Sequence, residues 1–230
     1  MKEIYVFCEG ATEQGFCAAV LQPSLFPTGV GLVHTIRTAH SRRHGIVSRG
    51  GVGKYAPLRR DILNALKMNR RPDVFFTTMI DLYGLRIDFP GKADHWRNPA
   101  DPTPYVEALE AAFAADIDDE RFIPHLQLHE FETLLFAQPD ALLPSFENCQ
   151  AAIDGMKAIA AKFGDVELID DGVSTSPSKR IDSLLPEYSG RKASVGPEIA
   201  QRIGLKTLRD KCPHFNAWIE RLEQVLGDTD

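Results

Sequence analysis

The run Ile4-Tyr5-Val6-Phe7-Cys8, followed directly by Glu9-Gly10, decides the fold that we expect of this chain. Five consecutive apolar residues are typical of a strand that is buried on both faces, as the strands of parallel sheets are. Residues 73–80 form a second such run, rich in aromatic and β-branched residues. Weaker runs predict further strands over residues 32–36 and 122–128.

Stretches with helical periodicity separate these strands. They predict helices over residues 12–21, 55–68 and 104–115, and the start of another over residues 132–136. Alternating strands and helices predict an α/β fold, a mostly parallel, Rossmann-like sheet of about four strands flanked by helices. A proline-rich loop over residues 83–104 interrupts the pattern and has two interpretations, a lid or a rigid packed loop.

The pattern changes near residue 145. Residues 1–145 predict the α/β domain, and residues 146–230 predict a helical C-terminal region packed on it. In that region an apolar residue recurs every three or four positions from Leu205 to Leu226, and Pro213 is predicted to start a new helix within this stripe. The stripe fits two helices docked on the core, and it also fits a coiled coil with a partner.

Composition excludes several classes of protein. The chain has 230 residues, of which 43% are apolar and 25% charged, enough to build a large buried core. No apolar run approaches the roughly 20 residues that span a bilayer, and the N-terminal residues are not typical of a signal peptide. The four cysteines form no C-x-x-C pair and no metal-binding pattern. We therefore expect a cytoplasmic protein with reduced thiols and no membrane contact.

Charge is distributed unevenly along the chain. The net charge is −6, yet no acidic residue lies between Glu13 and Asp61, and the arginine and lysine side chains there give that segment a charge of +7. Such a segment fits contact with the phosphates of a nucleic acid, and it also fits a solvated loop that faces the acidic remainder. Arg42, Arg43 and Lys54 are its candidates for phosphate contact.

Carboxylates follow three of the predicted strands. Glu9 comes after the first strand, Asp81 after the third and Glu130 after the fourth, with Glu13 and Glu132 close by in the sequence. The carboxyl ends of parallel strands share one edge of a sheet, where ligands bind, so these acids are predicted to meet there. Crowded carboxylates repel one another unless a proton or a divalent cation intervenes, and oxygen ligands suit Mg²⁺ or Mn²⁺. The alternative is that each acid has a separate local role, in a turn or at a helix start.

A zinc-protease motif is excluded nearby. In His129-Glu130-Phe131-Glu132-Thr133 a threonine occupies the position of the second histidine of H-E-x-x-H. His125 and His129 share one face of the predicted strand, and we expect both to be core or hydrogen-bonded histidines.

Several motifs, taken together, make the chain recognisable. They are Glu9-Gly10-Ala11-Thr12-Glu13, Asp81-Leu82-Tyr83-Gly84, His129-Glu130-Phe131-Glu132, Pro177-Ser178-Lys179-Arg180 and Cys212-Pro213-His214-Phe215. Over nearly the whole chain, this combination resembles the DUF4276 family.

The first motif is also similar to the opening of Toprim domains, which occur in topoisomerases, primases and the overcoming-lysogenisation-defect nucleases. The resemblance implies a Toprim-like sheet in which Glu9 matches the Toprim glutamate and Asp81 the first aspartate of the Asp-x-Asp pair. Tyr83 stands in place of the second aspartate, so Glu130 or Glu132 is expected to supply the missing oxygen ligand. Family members are often encoded beside ABC/SMC-like ATPases in anti-phage loci, which implies an ATPase partner.

These observations lead us to expect a Mg²⁺- or Mn²⁺-dependent nuclease acting on DNA or RNA in anti-phage defence. The expected catalytic residues are Glu9, Asp81, Glu130 and Lys179. Glu13 and Glu132 are outer metal ligands in this scheme, and Arg180 contacts phosphate. One alternative is a non-catalytic interaction subunit that binds an ATPase or nucleic acid, which Tyr83 favours. Another is a phosphatase or nucleotidyl transferase that uses the same acids.

Overall fold

A parallel sheet forms the centre of the computed structural model, which describes residues 2–25, 27, 30–38, 54–98, 100–169 and 172–227. Within these residues the strands run in the order β2-β1-β3-β4, and β5 pairs with β3 beyond β4. All of the pairings are parallel. The strands are β1 (Lys2–Cys8), β2 (Val30–Arg37), β3 (Val74–Asp81), β4 (Phe122–Ile123) and β5 (Leu126–Gln127). The predicted α/β fold is therefore confirmed.

Helices flank the sheet and make up the C-terminal region. They are α1 (Ala11–Phe16), α2 (Gln22–Leu25), α3 (Tyr55–Met68), α4 (Thr103–Ile117), α5 (Gln150–Phe163), α6 (Pro177–Leu184), α7 (Lys192–Lys211) and α8 (Pro213–Gly227). A π-helical turn, Cys17–Leu21, joins α1 to α2, and Gly204 breaks α7 with a positive φ of 79°. Short 3₁₀ helices occupy Leu82–Gly84, Phe131–Ala137, Pro139–Ser145, Val166–Leu168 and Pro186–Tyr188.

Strand β1 lies between β2 and β3, as its apolar sequence predicts. Ile4 and Phe7 are completely buried on its two faces. In the register of the sheet, Cys8 stands opposite Arg37 on one side and opposite Met79 on the other. The strands therefore end at the same edge, and the residues that follow β1 lie beside the end of β3.

The predicted fourth strand, residues 122–128, is divided into β4 and β5. Pro124 lies between them and has no N–H to donate to a ladder. The side chain of Thr78 bridges the gap, because its Oγ1 donates to the carbonyl of His125 (2.8 Å) and accepts from the N–H of His125 (2.9 Å). A side chain thus replaces the interrupted ladder.

The C-terminal region is docked on the sheet. The side chains of the apolar stripe are buried from Leu208 to Leu226. Pro213 begins α8, as predicted. One cluster of buried side chains joins Phe16 of α1 and Phe131 to Phe215 and Trp218 of α8. This is the first of the two interpretations, helices packed on the core. A second cluster lies between the sheet and helices α3 and α4.

Part of the proline-rich loop is packed against helices α3 and α4. Phe89 is buried and contacts the rings of Tyr55 and Phe113, with centroids 5.3 and 5.0 Å away. Asp88 accepts a hydrogen bond from the N–H of Tyr55 (3.0 Å) at the start of α3. The side chain of Trp96, by contrast, is 80% exposed. The rigid packed loop is thus the better description of residues 85–91.

The predicted helix over residues 12–21 is longer in the structure, because the π-helical turn continues into α2, which contains Pro23 and ends at Leu25. In the C-terminal region, Val166–Leu168 forms a 3₁₀ turn in which the side chain of Asp165 accepts from the N–H of Glu167.

Among the described residues, no helix combines the length and apolar character that crossing a bilayer requires.

Candidate functional site

Five carboxylates meet where the central strands end, and we call this group the acidic edge: Glu9, Glu13, Asp81, Glu130 and Glu132. Asp81 is the last residue of β3, and its carboxyl lies among the other four. Burial raises the pKa of Asp81 well above its usual range, and repulsion from each of the four glutamates raises it further. The structure thus brings together all of the acids that the strand ends predict.

Backbone hydrogen bonds connect the first members of the acidic edge. Oε2 of Glu9 accepts from the N–H of Asp81 (3.2 Å), which joins the segment after β1 to the end of β3. Oδ1 of Asp81 accepts in turn from the N–H of Phe131 (3.0 Å). Glu9 therefore positions the backbone at Asp81, and Asp81 positions the segment that carries Glu130 and Glu132.

Glu13 folds back onto the start of its own helix. Its Oε2 accepts from the N–H of Gly10 (2.6 Å), the residue before α1, in a capping-box arrangement. A Cβ at position 10 would lie 3.3 Å from that oxygen, so the glycine of the Glu-Gly-x-Thr-Glu motif leaves room for the carboxylate. Burial raises the pKa of Glu13, and repulsion from Glu9 acts in the same direction.

Glu130 is tied to the C-terminal region. It accepts hydrogen bonds from the N–H and the Oγ of Ser178, the latter at 3.0 Å. Ser178 lies in the first turn of α6, where backbone N–H groups have no helical partner. The carboxylate therefore caps α6 and fixes that helix against the acidic edge.

Glu132 lies beside a lysine, Lys192 of α7. Its Oε1 accepts from the hydroxyl of Tyr188 (3.2 Å) and is 3.6 Å from Nζ of Lys192. Burial raises the pKa of Glu132 to about 7, although Lys192 opposes the shift. The pKa of Lys192 is raised, most strongly by the charge of Glu132. Lys192 and Ser178 were not predicted as site residues.

The predicted basic residues lie elsewhere or outside the description. Lys179 is largely exposed and is 4.0 Å from Asp182, so its one described ion pair is not with the acidic edge. Arg180 donates from Nε to the carbonyl of Thr175 and lies over the ring of Phe163. Lys54 is exposed just before α3. Arg42 and Arg43 lie outside the described residues.

Tyr83 and His129 pack together beside the acids. The N–H of Tyr83 donates to the carbonyl of His129 (2.9 Å), and about half of the tyrosine residue is exposed. His129 is fully buried, with Nε2 2.9 Å from the carbonyl of Glu167, and its φ of 61° turns the chain just before Glu130. His129 is thus a hydrogen-bonded core histidine, as its position on the strand predicts.

The donor set suits a hard divalent cation. All five side chains offer carboxylate oxygens, the ligands that Mg²⁺ and Mn²⁺ prefer. Oδ2 of Asp81 has no hydrogen-bond partner among the described residues, whereas Oδ1 holds Phe131. Within the described part of the chain, no three of the five place oxygens within 4.8 Å of one another. The acids therefore fit a cation in chemical type, with a spacing looser than that of a closed site.

The motifs around the acidic edge lie within a known protein family. The model of a domain of unknown function, DUF4276, matches residues 8–223 and so includes all five acids and Ser178. The chain belongs to the DUF4276 family. No curated protein and no solved structure matches it. Four of the five motifs quoted above contain members of the acidic edge or Ser178, which contacts it, whereas Cys212-Pro213-His214-Phe215 lies at the start of α8.

Proposed function

We propose that the acidic edge binds Mg²⁺ or Mn²⁺ and that the protein is a Toprim-like nuclease that cleaves phosphodiester bonds of DNA or RNA. The observation that carries this proposal is the crowding of four glutamates around Asp81. Carboxylates crowded in this way need a proton or a positive charge to offset their repulsion, and Lys192 lies 3.6 Å from Glu132. Glu9, Asp81 and Glu130 would hold the cation, with Glu13 and Glu132 as outer ligands.

The acids and Lys192 would have different roles in catalysis. A bound divalent cation would activate a water molecule and stabilise charge on the scissile phosphate. Glu132, with its pKa raised to about 7, suits exchange of a proton near neutral pH. The ammonium group of Lys192 would offset negative charge that develops on the phosphate, and it would take the place of Lys179, the lysine expected from the sequence to be catalytic.

Partners follow from the same proposal. The substrate would be a nucleic acid whose phosphates contact Arg42, Arg43, Lys54 and Arg180. An ABC/SMC-like ATPase partner and a role in anti-phage defence rest on the family resemblance alone. A cytoplasmic location is supported by the four buried cysteines, which are all free thiols.

The experiment that tests the proposal is calorimetric titration of Mg²⁺ and Mn²⁺ into the wild type and the Asp81→Asn variant, followed by plasmid nicking with the same samples. We expect the wild type to bind and nick, and the variant to lose both while its circular dichroism spectrum stays unchanged. Asp140→Asn is the matched control, because Asp140 is half-buried, lies outside the acidic edge and pairs with Lys157. Nicking by Asp81→Asn at the wild-type rate would overturn the proposal.

A second candidate function is a non-catalytic subunit that binds an ATPase or a nucleic acid. It is favoured by the internal donors that already occupy the acids, such as Ser178 on Glu130 and Phe131 on Asp81, and by Tyr83 at the position of the second Toprim aspartate. Retention of DNA or RNA by a wild type that neither binds cations nor nicks would select this function.

A further inference from the structure

A second group of potential ligands lies on other elements, and we call it the buried triad: Glu110 of α4, His125 between β4 and β5, and His214 of α8. Oε1 of Glu110 is 3.1 Å from Nε2 of His214 and 3.5 Å from Nδ1 of His125. The three ligand atoms all lie within 4.8 Å of one another, and none of the side chains is more than 5% exposed.

The two distances from Oε1 of Glu110 are close to the spacing of ligands around zinc. Nitrogen and oxygen ligands lie about 2.0–2.2 Å from a tetrahedral Zn²⁺, which places neighbouring ligand atoms about 3.3 Å apart. Two imidazoles and a carboxylate are a usual donor set for this ion. The carbonyl oxygen of Leu126, 3.2 Å from Nε2 of His214, offers a fourth donor.

His125 is not explained by hydrogen bonding. Its ring is completely buried, and neither ring nitrogen has a hydrogen-bond partner among the described residues. Trp218 stacks on the ring at 4.2 Å and 6°, which holds Nδ1 on the side of Glu110. A buried polar group without a hydrogen-bond partner costs about 1–3 kcal/mol of stability. A metal ion bound to Nδ1 would provide such a partner. His214, by comparison, has Glu110 and the Leu126 carbonyl within reach.

The surroundings hold the carboxylate of Glu110 in one orientation. Arg221 donates to Oε2 (3.0 Å), and the N–H of Leu126 donates to Oε1 (2.8 Å). Glu167 fixes the start of α8 by accepting from the N–H groups of His214 (2.7 Å) and Phe215 (3.1 Å). Ligands fixed by a second layer of hydrogen bonds are typical of metal sites.

We propose that Glu110, His125 and His214 form a structural zinc site that joins α4, the segment between β4 and β5, and helix α8. A structural role follows from the burial of all three ligands, because structural zinc sites are closed. This site shares no residue with the acidic edge and does not depend on the proposed function.

The experiment measures zinc content in protein purified with a tag that contains no histidine, loaded with Zn²⁺ and freed of excess by gel filtration. We expect about one zinc per wild-type chain and loss of at least nine-tenths of it in His125→Phe. Phenylalanine keeps a ring that can stack on Trp218. His34→Phe is the matched control, because His34 also stacks on an aromatic ring, that of Tyr5, and lies outside the triad. It should keep its zinc.

Thermal unfolding provides a second readout that does not depend on the variant folding well. Dialysis of the wild type against a chelator should lower Tm by about 5–10 °C, and Zn²⁺ but not Mg²⁺ should restore it. The Tm of His125→Phe should respond to neither treatment. A loaded wild type with less than a tenth of an equivalent of zinc, or full zinc retention by His125→Phe, would overturn the proposal.

Discussion

At the scale of single residues, each carboxylate of the acidic edge has a structural contact as well as a proposed chemical role. Glu130 caps α6 through Ser178, and Asp81 holds the N–H of Phe131. Removing such a side chain therefore tests two functions at once. Asparagine and glutamine replacements keep one acceptor oxygen for the backbone while they remove the charge, which is why the proposed test uses Asp81→Asn.

Glu132 makes the stability of the protein depend on pH. Because its pKa is about 7 in the folded state against 4.5 ordinarily, the folded state binds this proton more tightly, and the stabilisation is lost as pH rises from about 4.5 through 7. Glu132→Gln should therefore reduce the fall in unfolding free energy between pH 5 and pH 8 by about 1–3 kcal/mol. Urea denaturation at both pH values measures it. The exposed Glu187→Gln is the control, and equal slopes for Glu132→Gln and wild type would contradict the prediction.

Thr77 connects β3 to the C-terminal helix by one hydroxyl. Its Oγ1 accepts from Nε1 of Trp218 (2.8 Å) and donates to the carbonyl of Ile123. Thr77→Val keeps the shape but leaves both groups unpaired, so we expect a loss of about 2–5 kcal/mol in unfolding free energy. Thr35→Val, at a partly exposed hydroxyl that accepts from Gln14, should change stability by less than about 1 kcal/mol. Similar losses of unfolding free energy in Thr77→Val and Thr35→Val would argue against a stabilising role for the two buried hydrogen bonds of Thr77.

At the scale of elements, α1 and α7 approach each other closely because both present glycines at their contact. A Cβ on Gly15 would lie 2.6 Å from Cγ of Pro197 in α7, and one on Gly196 of α7 would lie 3.3 Å from Cγ2 of Thr12 in α1. This approach positions α7, and with it Lys192, against the acidic edge. Small residues at the contact between α1 and α7 thus determine the position of the helix that carries Lys192.

Gly15→Ala should separate these helices. A methyl group 2.6 Å from a rigid proline ring forces a backbone shift, so we expect destabilisation of about 1–3 kcal/mol despite the better helix propensity of alanine. Gly190→Ala is the control, because no atom lies within 4 Å of the added carbon. Chemical denaturation measures the free energy of unfolding of both variants. A value for Gly15→Ala equal to that of the wild type would show that the helices accommodate the methyl group without strain.

The sequence predicts the elements whose determinants are local. Helix α3 occupies the predicted residues 55–68 because its apolar spacing is regular, and β1 and β3 follow from their apolar runs. The acids are predictable because the ends of parallel strands share an edge. Ser178 and Lys192 are not, because they reach the acids only through the packing of α6 and α7. The buried triad follows no spacing rule, since its members come from three elements distant in sequence.

At the scale of the whole molecule, the α/β part and the C-terminal helices share one core. Phe16 of α1 contacts Phe131 and Phe215 edge-to-face, with ring centroids 5.8 and 5.9 Å away. Trp218 of α8 reaches the central strand β3 through Thr77. Residues on both sides of position 145 therefore bury one another. Neither part can unfold without exposing apolar side chains of the other.

This shared core predicts a single unfolding transition. Trp218 is fully buried and Trp96 is exposed, and the chain has no third tryptophan. In Trp96→Phe, tryptophan fluorescence reports only on α8, whereas circular dichroism at 222 nm reports on all helices. We expect both signals to give the same Tm, as two-state unfolding requires. An earlier fluorescence transition would show that the C-terminal helices unfold separately.

The N-terminal strand is held by the last helix: Nζ of Lys2 donates to the carbonyl of Val225 (2.8 Å), and α1 packs against α7. A ribosome adds about 5–20 residues per second, so α1 waits about 10–40 s for α7 to be synthesised. During that interval the apolar face around Phe16 lacks its native cover and is open to chaperones. We therefore expect nascent chains of this protein to complete this core only after α7 and α8 have been synthesised.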